Sequence, residues 1–332
     1  MKRVFLLMTV AALTVCAADP PSTPGFERLQ SEVARLATIS DGEVGLSALH
    51  VESGRRVALH STDRFPMAST FKVPVAVQLL ARVDRGEISL DQMIRIEPHD
   101  LHPGSGTLNN LFNKPGVELS VRNIMELMLL ISDNSAADIS LRLAGGGEAV
   151  TAKMRELGIE GINVNRSTAY LIADWRGATL PPEQDWTPEA FRAANRAVTP
   201  EQRAAANDRF NHDPRDTSQP DAMEALLEKI YARNILKPES ADLLLDIMSR
   251  CQTGAARIKG ILPPQTPVAH KTGSLGGAID DVGIITLPDN AGHVIVALFI
   301  KQGSQEEVSE RTIAQISRAI YDYFLFTPQG GE

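Results

Sequence analysis

A serine and a lysine three residues apart are the first residues of this chain whose types and spacing suit catalysis. Ser69 and Lys72 lie in the segment MASTFK at 67–72. On a helix, positions i and i+3 share a face, so the Lys72 amine is expected beside the Ser69 hydroxyl. A serine hydroxyl becomes a good nucleophile when a nearby base takes its proton, and free backbone N–H groups at a helix start stabilise an oxyanion. Roughly one such pair is expected by chance in a chain of this length, and an N-cap serine with a solvated lysine also explains it.

Two further motifs strengthen the catalytic interpretation. A Ser-Asp-Asn tripeptide at 132–134 falls between two predicted helices, where a loop is expected. A Lys-Thr-Gly tripeptide at 271–273 falls at the end of a predicted strand. All three patterns in this order have a chance expectation of well under roughly 1%. Together they are the signature of serine penicillin-recognising enzymes.

The chain resembles the class A serine β-lactamases from about Phe26 to Phe324. The stretches 64–73, 80–91 and 215–220 look most like that family. The resemblance implies an α/β (α+β) fold in which helices flank a five-stranded antiparallel sheet and an all-helical lobe completes the domain. It places the active site at the junction of the two lobes and implies opening of β-lactam rings.

Three catalytic roles follow from the resemblance. Ser69 would be the acylated nucleophile, and Lys72 would accept or relay its proton. Ser132 would pass a proton to the nitrogen that leaves when the ring opens.

The resemblance also implies a set of binding residues. Asn134 would hydrogen-bond the substrate's side-chain amide, and Lys271 and Thr272 would hold its carboxylate. The backbone N–H groups of Ser69 and Ser274 would form the oxyanion hole, in which each donor typically contributes a few kcal/mol of transition-state stabilisation.

One family element is missing from the sequence. Class A enzymes carry a Glu-Pro-x-x-Asn loop whose glutamate activates the water that frees the acyl-enzyme, and no such pattern occurs between residues 157 and 215. Glu183, in a predicted loop, and Asp174 are candidate replacements. Glu189 and Glu201 are explained by their positions at helix starts. If nothing replaces the glutamate, the acyl-enzyme should persist, because general bases contribute roughly 10²–10⁴-fold.

Hydrophobic periodicity predicts the elements that must position these residues. Helices are predicted over 24–40, 69–85, 120–132, 136–143, 147–157, 222–232, 240–251 and 306–324, and strands over 44–51, 56–61, 267–271, 281–287 and 293–300. The first and last segments then share one antiparallel sheet, and the central helices form a second lobe. The expected α/β lobe covers about 24–66 and 222–326, and the helical lobe covers about 67–221.

An insertion over about 173–213 interrupts the helical lobe. Two helix starts of the Thr-Pro-Glu type, at 187–189 and 199–201, predict two short helices over the mouth of the site. Trp175 and Trp186 are expected to fix the insertion to the body. Gly104 and Gly106 predict a flexible rim.

The N-terminus has the layout of a secretory signal peptide over residues 1–17. Two basic residues precede an uncharged run from Val4 to Val15, and small residues surround Ala17. We therefore expect a secreted or periplasmic protein with one catalytic domain over 18–332. An uncleaved anchor and a lipoprotein attached through Cys16 are the alternatives, although the apolar run is short for a bilayer span.

Composition limits the kinds of partner. The 332 residues are 43% hydrophobic and carry a formal charge of −8, which excludes a disordered chain and gives no global field for nucleic acid or an anionic membrane. The seven histidines show no metal-ligand spacing. A monomer with a small-molecule β-lactam substrate, without cofactor or metal, is expected.

Two other functions stay open at this stage. A D,D-peptidase-like hydrolase of cell-wall peptides is favoured by the missing glutamate. A β-lactam-binding protein that acylates once and stops is the non-enzymatic alternative. The close fit around Ser69 and the size of the chain favour the β-lactamase.

Overall fold

The computed structural model of the chain describes residues 23–102, 104–114 and 116–327. The predicted signal peptide over 1–17, with Cys16, lies outside the described residues.

Five strands form one antiparallel sheet that joins the two ends of the chain. The strands of the described residues are β1 (Glu43–His50), β2 (Arg55–Leu59), β3 (Phe65–Pro66), β4 (Met93–Arg95), β5 (Glu118–Ser120), β6 (Thr217–Ser218), β7 (Val268–Leu275), β8 (Ala278–Thr286) and β9 (His293–Lys301). The sheet has the order β2-β1-β9-β8-β7, and β1 pairs with β9 over its whole length. The predicted five-stranded antiparallel sheet is confirmed.

Both faces of this sheet are buried at its central strand, β9. Alternate side chains of β9 enter two separate hydrophobic cores, with Ile295, Ala297 and Phe299 on one face and Val296, Leu298 and Ile300 on the other. A strand covered on both faces has a nearly continuous apolar sequence, and HVIVALFIK fits that pattern.

Helices cover the sheet and build the second lobe. The helices of the described residues are α1 (Pro24–Ala37), α2 (Lys72–Asp84), α3 (Leu108–Leu111), α4 (Val121–Leu130), α5 (Asn134–Ala144), α6 (Gly146–Glu156), α7 (Thr168–Arg176), α8 (Pro188–Arg196), α9 (Pro200–Asn211), α10 (Pro220–Tyr231), α11 (Pro238–Ser249) and α12 (Glu306–Phe326). α1 and α12 pack together and share one core with the outer face of the sheet. α2 packs against α4, α5 and α6 and is buried from Lys72 to Ala81.

Three of the boundaries that differ from the sequence prediction lie at the site. The helix predicted from Ser69 begins with a 3-10 turn, Ala68–Phe71, and becomes α-helical only at Lys72. The helix predicted to reach residue 132 ends at Leu130, because Ser132 has a φ of +58°. The strand predicted to end at residue 271 continues to Leu275, since pairing with β8 holds it extended beyond the Lys-Thr-Gly motif.

The insertion contains the two predicted helices, α8 and α9. The Thr187 and Thr199 hydroxyls accept hydrogen bonds from backbone N–H groups of the first turns of these helices. Trp186 is buried and packs edge-on against Phe191, with ring centroids 5.5 Å apart. α7, which precedes them, was not predicted; Ser167 caps its start. Among the residues that the structure describes, no helix combines the length and apolar character needed to cross a bilayer.

Candidate active site

Ser69 lies in the 3-10 turn between β3 and α2. The turn is held on both sides: the Met67 N–H donates to the Asp216 carbonyl at 3.0 Å, and the Thr70 N–H donates to the Met67 carbonyl at 2.8 Å. The intervening Ala68 has a φ of +40°, a conformation that costs about 1 kcal/mol or more for a residue with a Cβ. Ser69 itself is half-buried, and Lys72 follows one turn later at the buried start of α2.

The edge strand β7 passes directly beside the Ser69 backbone. A Cβ placed on Gly273 would lie 2.7 Å from the Met67 carbonyl oxygen and 3.1 Å from the Ser69 nitrogen, so glycine is what permits this approach. Because β7 is at the edge of the sheet, half of its backbone groups face away from β8. This places the Ser69 and Ser274 backbones on neighbouring segments, as an oxyanion hole requires.

The Ser132 hydroxyl joins the other two motifs. It accepts hydrogen bonds from Lys72 Nζ at 3.1 Å and from Lys271 Nζ at 3.0 Å. Lys72 also donates to the Ser132 carbonyl at 2.7 Å, and Lys271 donates to the Thr272 carbonyl at 2.8 Å. The positive φ of Ser132 turns both its carbonyl and its hydroxyl towards Lys72.

The two lysines are fully buried, and burial changes their proton affinity. Burial, assisted by the nearby positive charge of Lys271, holds the pKa of Lys72 well below its usual value. Burial lowers the pKa of Lys271 to about 8, against an opposing effect of the negative charges of Cys251 and Asp281. Lys72 is therefore suited to accept a proton, while Lys271 keeps a positive charge near neutral pH.

Asn134 and the rim are tied to the same cluster. Asn134 Oδ1 accepts a hydrogen bond from Lys72 Nζ at 2.9 Å, which leaves the amide N–H₂ group of Asn134 free of that contact. The Asp133 carboxylate accepts from the Thr107 and Leu108 N–H groups at 2.6 and 2.9 Å. The rim predicted to be flexible is thus hydrogen-bonded to the Ser-Asp-Asn loop.

Sequence reasoning missed Arg257, whose hydrogen bonds hold the backbone and a side chain of β7. Its buried guanidinium donates to the carbonyls of Gly273 and Asp280 at 2.8 and 2.9 Å and to the Ser274 hydroxyl at 2.6 Å. Glu310 lies 3.0 Å away as a counter-ion. No short motif marks this arginine in a single sequence.

A buried group of Cys251, His270 and Asp281 lies behind Thr272. The His270 Nδ1 is 2.8 Å from the Asp281 carboxylate, and although burial opposes it, that charge raises the pKa of His270 to about 9. Burial alone would raise the pKa of the Cys251 thiol, but His270 lowers it to about 6. The Thr272 hydroxyl is connected to this group through Thr253, at 2.6 Å.

The proposed replacement carboxylates lie apart from the lysine cluster. Asp174 is 44% exposed and pairs with Arg166 and Arg215 at 2.6 and 3.5 Å. Glu183 is exposed in a short 3-10 turn, where its charge acts on Tyr170. Neither carboxylate contacts Lys72 or Ser132 in the described part of the chain.

Asp138, on α5, is the carboxylate that sequence reasoning missed. It accepts hydrogen bonds from the Thr168 hydroxyl and Thr168 N–H, both at 2.7 Å, and from the Ala169 N–H at 3.1 Å. The position one helical turn after Asn134 was the available signal, but it becomes meaningful only once α7 is placed beside α5.

α7 contacts both the Ser-Asp-Asn segment and the turn between β7 and β8. A Cβ placed on Gly276, in the turn between β7 and β8, would lie 2.6 Å from Trp175 Nε1, and Gly276 has a φ of +61°. Trp175 therefore packs directly on that turn, and α7 spans from Asn134 at one end to the β7–β8 turn at the other.

One group of potential metal ligands is already engaged with protein partners. Ligand atoms of Glu43, His60 and Asp63 lie within 4.8 Å of one another. Lys301 is 3.1 Å from the Glu43 carboxylate, and His60 is 3.2 Å from Asp63. We assign no metal to it.

The two-lobed fold and this serine–lysine cluster define a serine hydrolase of the penicillin-recognising class. A profile of the family described as "Beta-lactamase enzyme family" matches residues 28–324. The chain is 25% identical to β-lactamase VEB-1 of Pseudomonas aeruginosa over 98% of both chains.

Solved structures agree with this match. A β-lactamase from Chitinophaga pinensis superposes with a TM-score of 0.74 and 29% identity, over 89% of this chain and 98% of that one. A point mutant of PBP-A, solved as an acyl-enzyme complex with penicillin G, gives a TM-score of 0.72 and 26% identity over 92% of this chain and 98% of that one. The chain belongs to the β-lactamase enzyme family, among its class A serine members.

Proposed function

We propose that this protein hydrolyses β-lactams through an acyl-enzyme on Ser69. The observation that carries the proposal is the Ser132 hydroxyl held between Lys72 and Lys271 at 3.1 and 3.0 Å, beside the turn that bears Ser69. The naming of the relatives as β-lactamases supports the same chemistry.

In the acylation step, Ser69 attacks the lactam carbonyl while Lys72 takes its proton. The Ser69 and Ser274 N–H groups stabilise the oxyanion, an effect commonly worth about 3 kcal/mol per donor. Ser132 then donates its proton to the lactam nitrogen as the C–N bond breaks and recovers one from Lys72. Lys72 ends the step neutral.

Binding of the substrate follows from the charges. Lys271 and the Thr272 hydroxyl hold the substrate carboxylate, which explains how a chain of net charge −8 binds an anion. Asn134, whose Oδ1 accepts from Lys72, offers its amide N–H₂ to the substrate's side-chain carbonyl.

The test is turnover of nitrocefin by the purified protein, with Ser69→Ala as the control. Mass spectrometry after brief exposure to benzylpenicillin should show an adduct on Ser69 that disappears with time. A stable adduct without turnover would instead identify a β-lactam-binding protein. Release of D-alanine from a D-Ala-D-Ala peptide, with nitrocefin intact, would identify a D,D-peptidase.

We further propose that residues 1–17 are a signal peptide and that 18–332 form one exported catalytic domain. The basic start and the uncharged run of residues 4–15 support this. N-terminal sequencing of the exported protein should begin near Ala18; Met1 would contradict the proposal, and a lipid on Cys16 would indicate a lipoprotein.

A further inference from the structure

Asp138 is a largely buried carboxylate without a lysine or arginine partner among the described residues. Its side chain is 13% exposed, and its contact with a charged or titratable group is His102 Nε2 at 2.9 Å. His102 is 1% exposed. Neither ring nitrogen of His102 has a hydrogen bond of good geometry among the described residues, so Nε2 is close to Asp138 without a well-aligned hydrogen bond. The pair is therefore largely shielded from solvent and, among the described residues, has no direct ion pair with a lysine or arginine.

Thr168 connects Asp138 to the catalytic cluster. The Thr168 hydroxyl lies 2.7 Å from Asp138 Oδ1 and 3.2 Å from the Asn134 carbonyl oxygen. On its other side, Asn134 holds Lys72 Nζ at 2.9 Å. The negative charge of Asp138 also raises the pKa of Lys72, against the effect of burial. Asn134 thus lies between the Thr168 hydroxyl and Lys72, which accepts the proton of Ser69 in the acylation step.

We propose that Thr168 and Asp138 activate the water that hydrolyses the acyl-enzyme, with Thr168 facing the water and Asp138 receiving the proton. This inference rests on the proposed hydrolysis through Ser69. It assigns hydrolysis of the acyl-enzyme to two residues beside the serine–lysine cluster, in place of the glutamate that class A enzymes carry in a loop. Asp138 acts through Thr168 and is a positioning residue in this scheme.

The proposed step balances without any further reactant. Water attacks the ester carbonyl, its proton passes to the Thr168 oxygen, and the Thr168 proton passes to Asp138 along the existing 2.7 Å hydrogen bond. When the intermediate collapses, the bond between the carbonyl carbon and the Ser69 oxygen breaks. The proton then returns through Thr168 to the Ser69 oxygen, leaving free enzyme and the ring-opened acid.

Other nearby carboxylates are committed to structural contacts. Asp133 accepts hydrogen bonds from the N–H groups of Thr107, Leu108 and Ala136. Asp174 pairs with Arg166 and Arg215, and Glu183 lies beside Tyr170. Only Asp138 has a hydroxyl between its carboxylate and the catalytic cluster among these four.

The experiment separates acylation from deacylation in Thr168→Val, Thr168→Ser and Asp138→Asn. Rapid-quench mass spectrometry with benzylpenicillin measures the formation and the decay of the Ser69 adduct. We expect Thr168→Val and Asp138→Asn to form the adduct within about threefold of the wild-type rate and to lose it at least about 10²-fold more slowly. Thr168→Ser, which keeps the hydroxyl, should restore decay.

Matched controls are Asp174→Asn and Glu183→Gln, which should decay at the wild-type rate. Thermal unfolding checks that each variant folds. If Asp138→Asn does not fold, the comparison of Thr168→Val with Thr168→Ser tests the inference. If the Ser69 adduct decayed at the wild-type rate in Thr168→Val, or in a folded Asp138→Asn, this inference would be overturned and the proposed function would still stand. A wild-type adduct that never decays would also overturn it, whereas absence of any Ser69 adduct would overturn the proposed function itself.

Discussion

The Lys271 ammonium donates a hydrogen bond to the Ser132 hydroxyl at 3.0 Å, and the two residues come from positions 139 apart in the chain. Lys72 donates to the same oxygen. Both lone pairs of the hydroxyl are thereby used, so its own proton is directed away from the lysines. Such a hydroxyl is arranged to donate to a leaving group.

Removal of this hydroxyl should slow acylation. In Ser132→Ala we expect kcat/KM for nitrocefin to fall about 10²–10⁴-fold, because the proton donor to the leaving nitrogen is lost. Stopped-flow measurement of adduct formation is the direct assay. Ser105→Ala, which removes a hydroxyl that donates to the carbonyls of Ile131 and Ser132, is the control and should acylate normally. Equal rates in both variants would contradict the role of Ser132.

Activity should decline above pH 8 through weaker substrate binding. The pKa of Lys271 is about 8, so its ammonium is charged below that pH and progressively neutral above it. The electrostatic attraction for the substrate carboxylate is lost in the neutral form, and KM should rise about tenfold for each pH unit above 8. Measurements of KM from pH 6 to 9.5 test this. Lys271→Arg should remove the rise, because arginine stays charged; a flat wild-type KM would refute the assignment.

Arg257 should contribute strongly to the stability of the fold. A lysine in its place cannot donate to Gly273, Asp280 and Ser274 together, so Arg257→Lys should lower the free energy of unfolding by about 3 kcal/mol. Urea unfolding with circular dichroism measures the change. The control is Arg250→Lys, at an exposed pair with Asp246, where about 0.5 kcal/mol or less is expected. A loss in Arg257→Lys as small as that expected for the control would show that the buried arginine is dispensable.

Asp280 should make the protein less stable as pH rises. Neither of its carboxylate oxygens has a hydrogen-bond partner among the described residues, and burial raises its pKa well above 3.8. The folded state therefore holds this proton more tightly than the unfolded state, and stability falls with pH from about 4 up to the raised pKa.

Asp280→Asn removes that titration. At pH 7 we expect the variant to be about 1–3 kcal/mol more stable than the wild type, and the difference should shrink near pH 4. Unfolding curves at pH 4, 5.5 and 7 test the trend. A difference that does not change with pH would mean that Asp280 is not the titrating group.

The sheet and most helices are predictable because local periodicity determines them. The alternating cores around β9 and the apolar length of α2 are visible in the sequence, and the three motifs identify Ser69, Lys72, Ser132 and Lys271. What escaped prediction depends on contacts between distant segments. Ser132 has a φ of +58° where its carbonyl and hydroxyl both contact Lys72, 60 positions away in the chain. The extension of β7 depends on its pairing with β8. Thr168 and Asp138 acquire their relationship only when α7 packs beside α5.

Arg166 connects the insertion electrostatically to the rest of the domain. This nearly buried guanidinium contacts Asp216 and Asp174 at 2.6 Å and Asp213, at the far end of the insertion, at 3.0 Å, and it lies over the ring of Phe210 on α9. An evolutionary or engineered shortening of residues 177–213 would strip away part of its counter-charge and its aromatic cover. The extra helices are thus an integral part of the domain's electrostatic balance, and they would have to be lost together with Arg166.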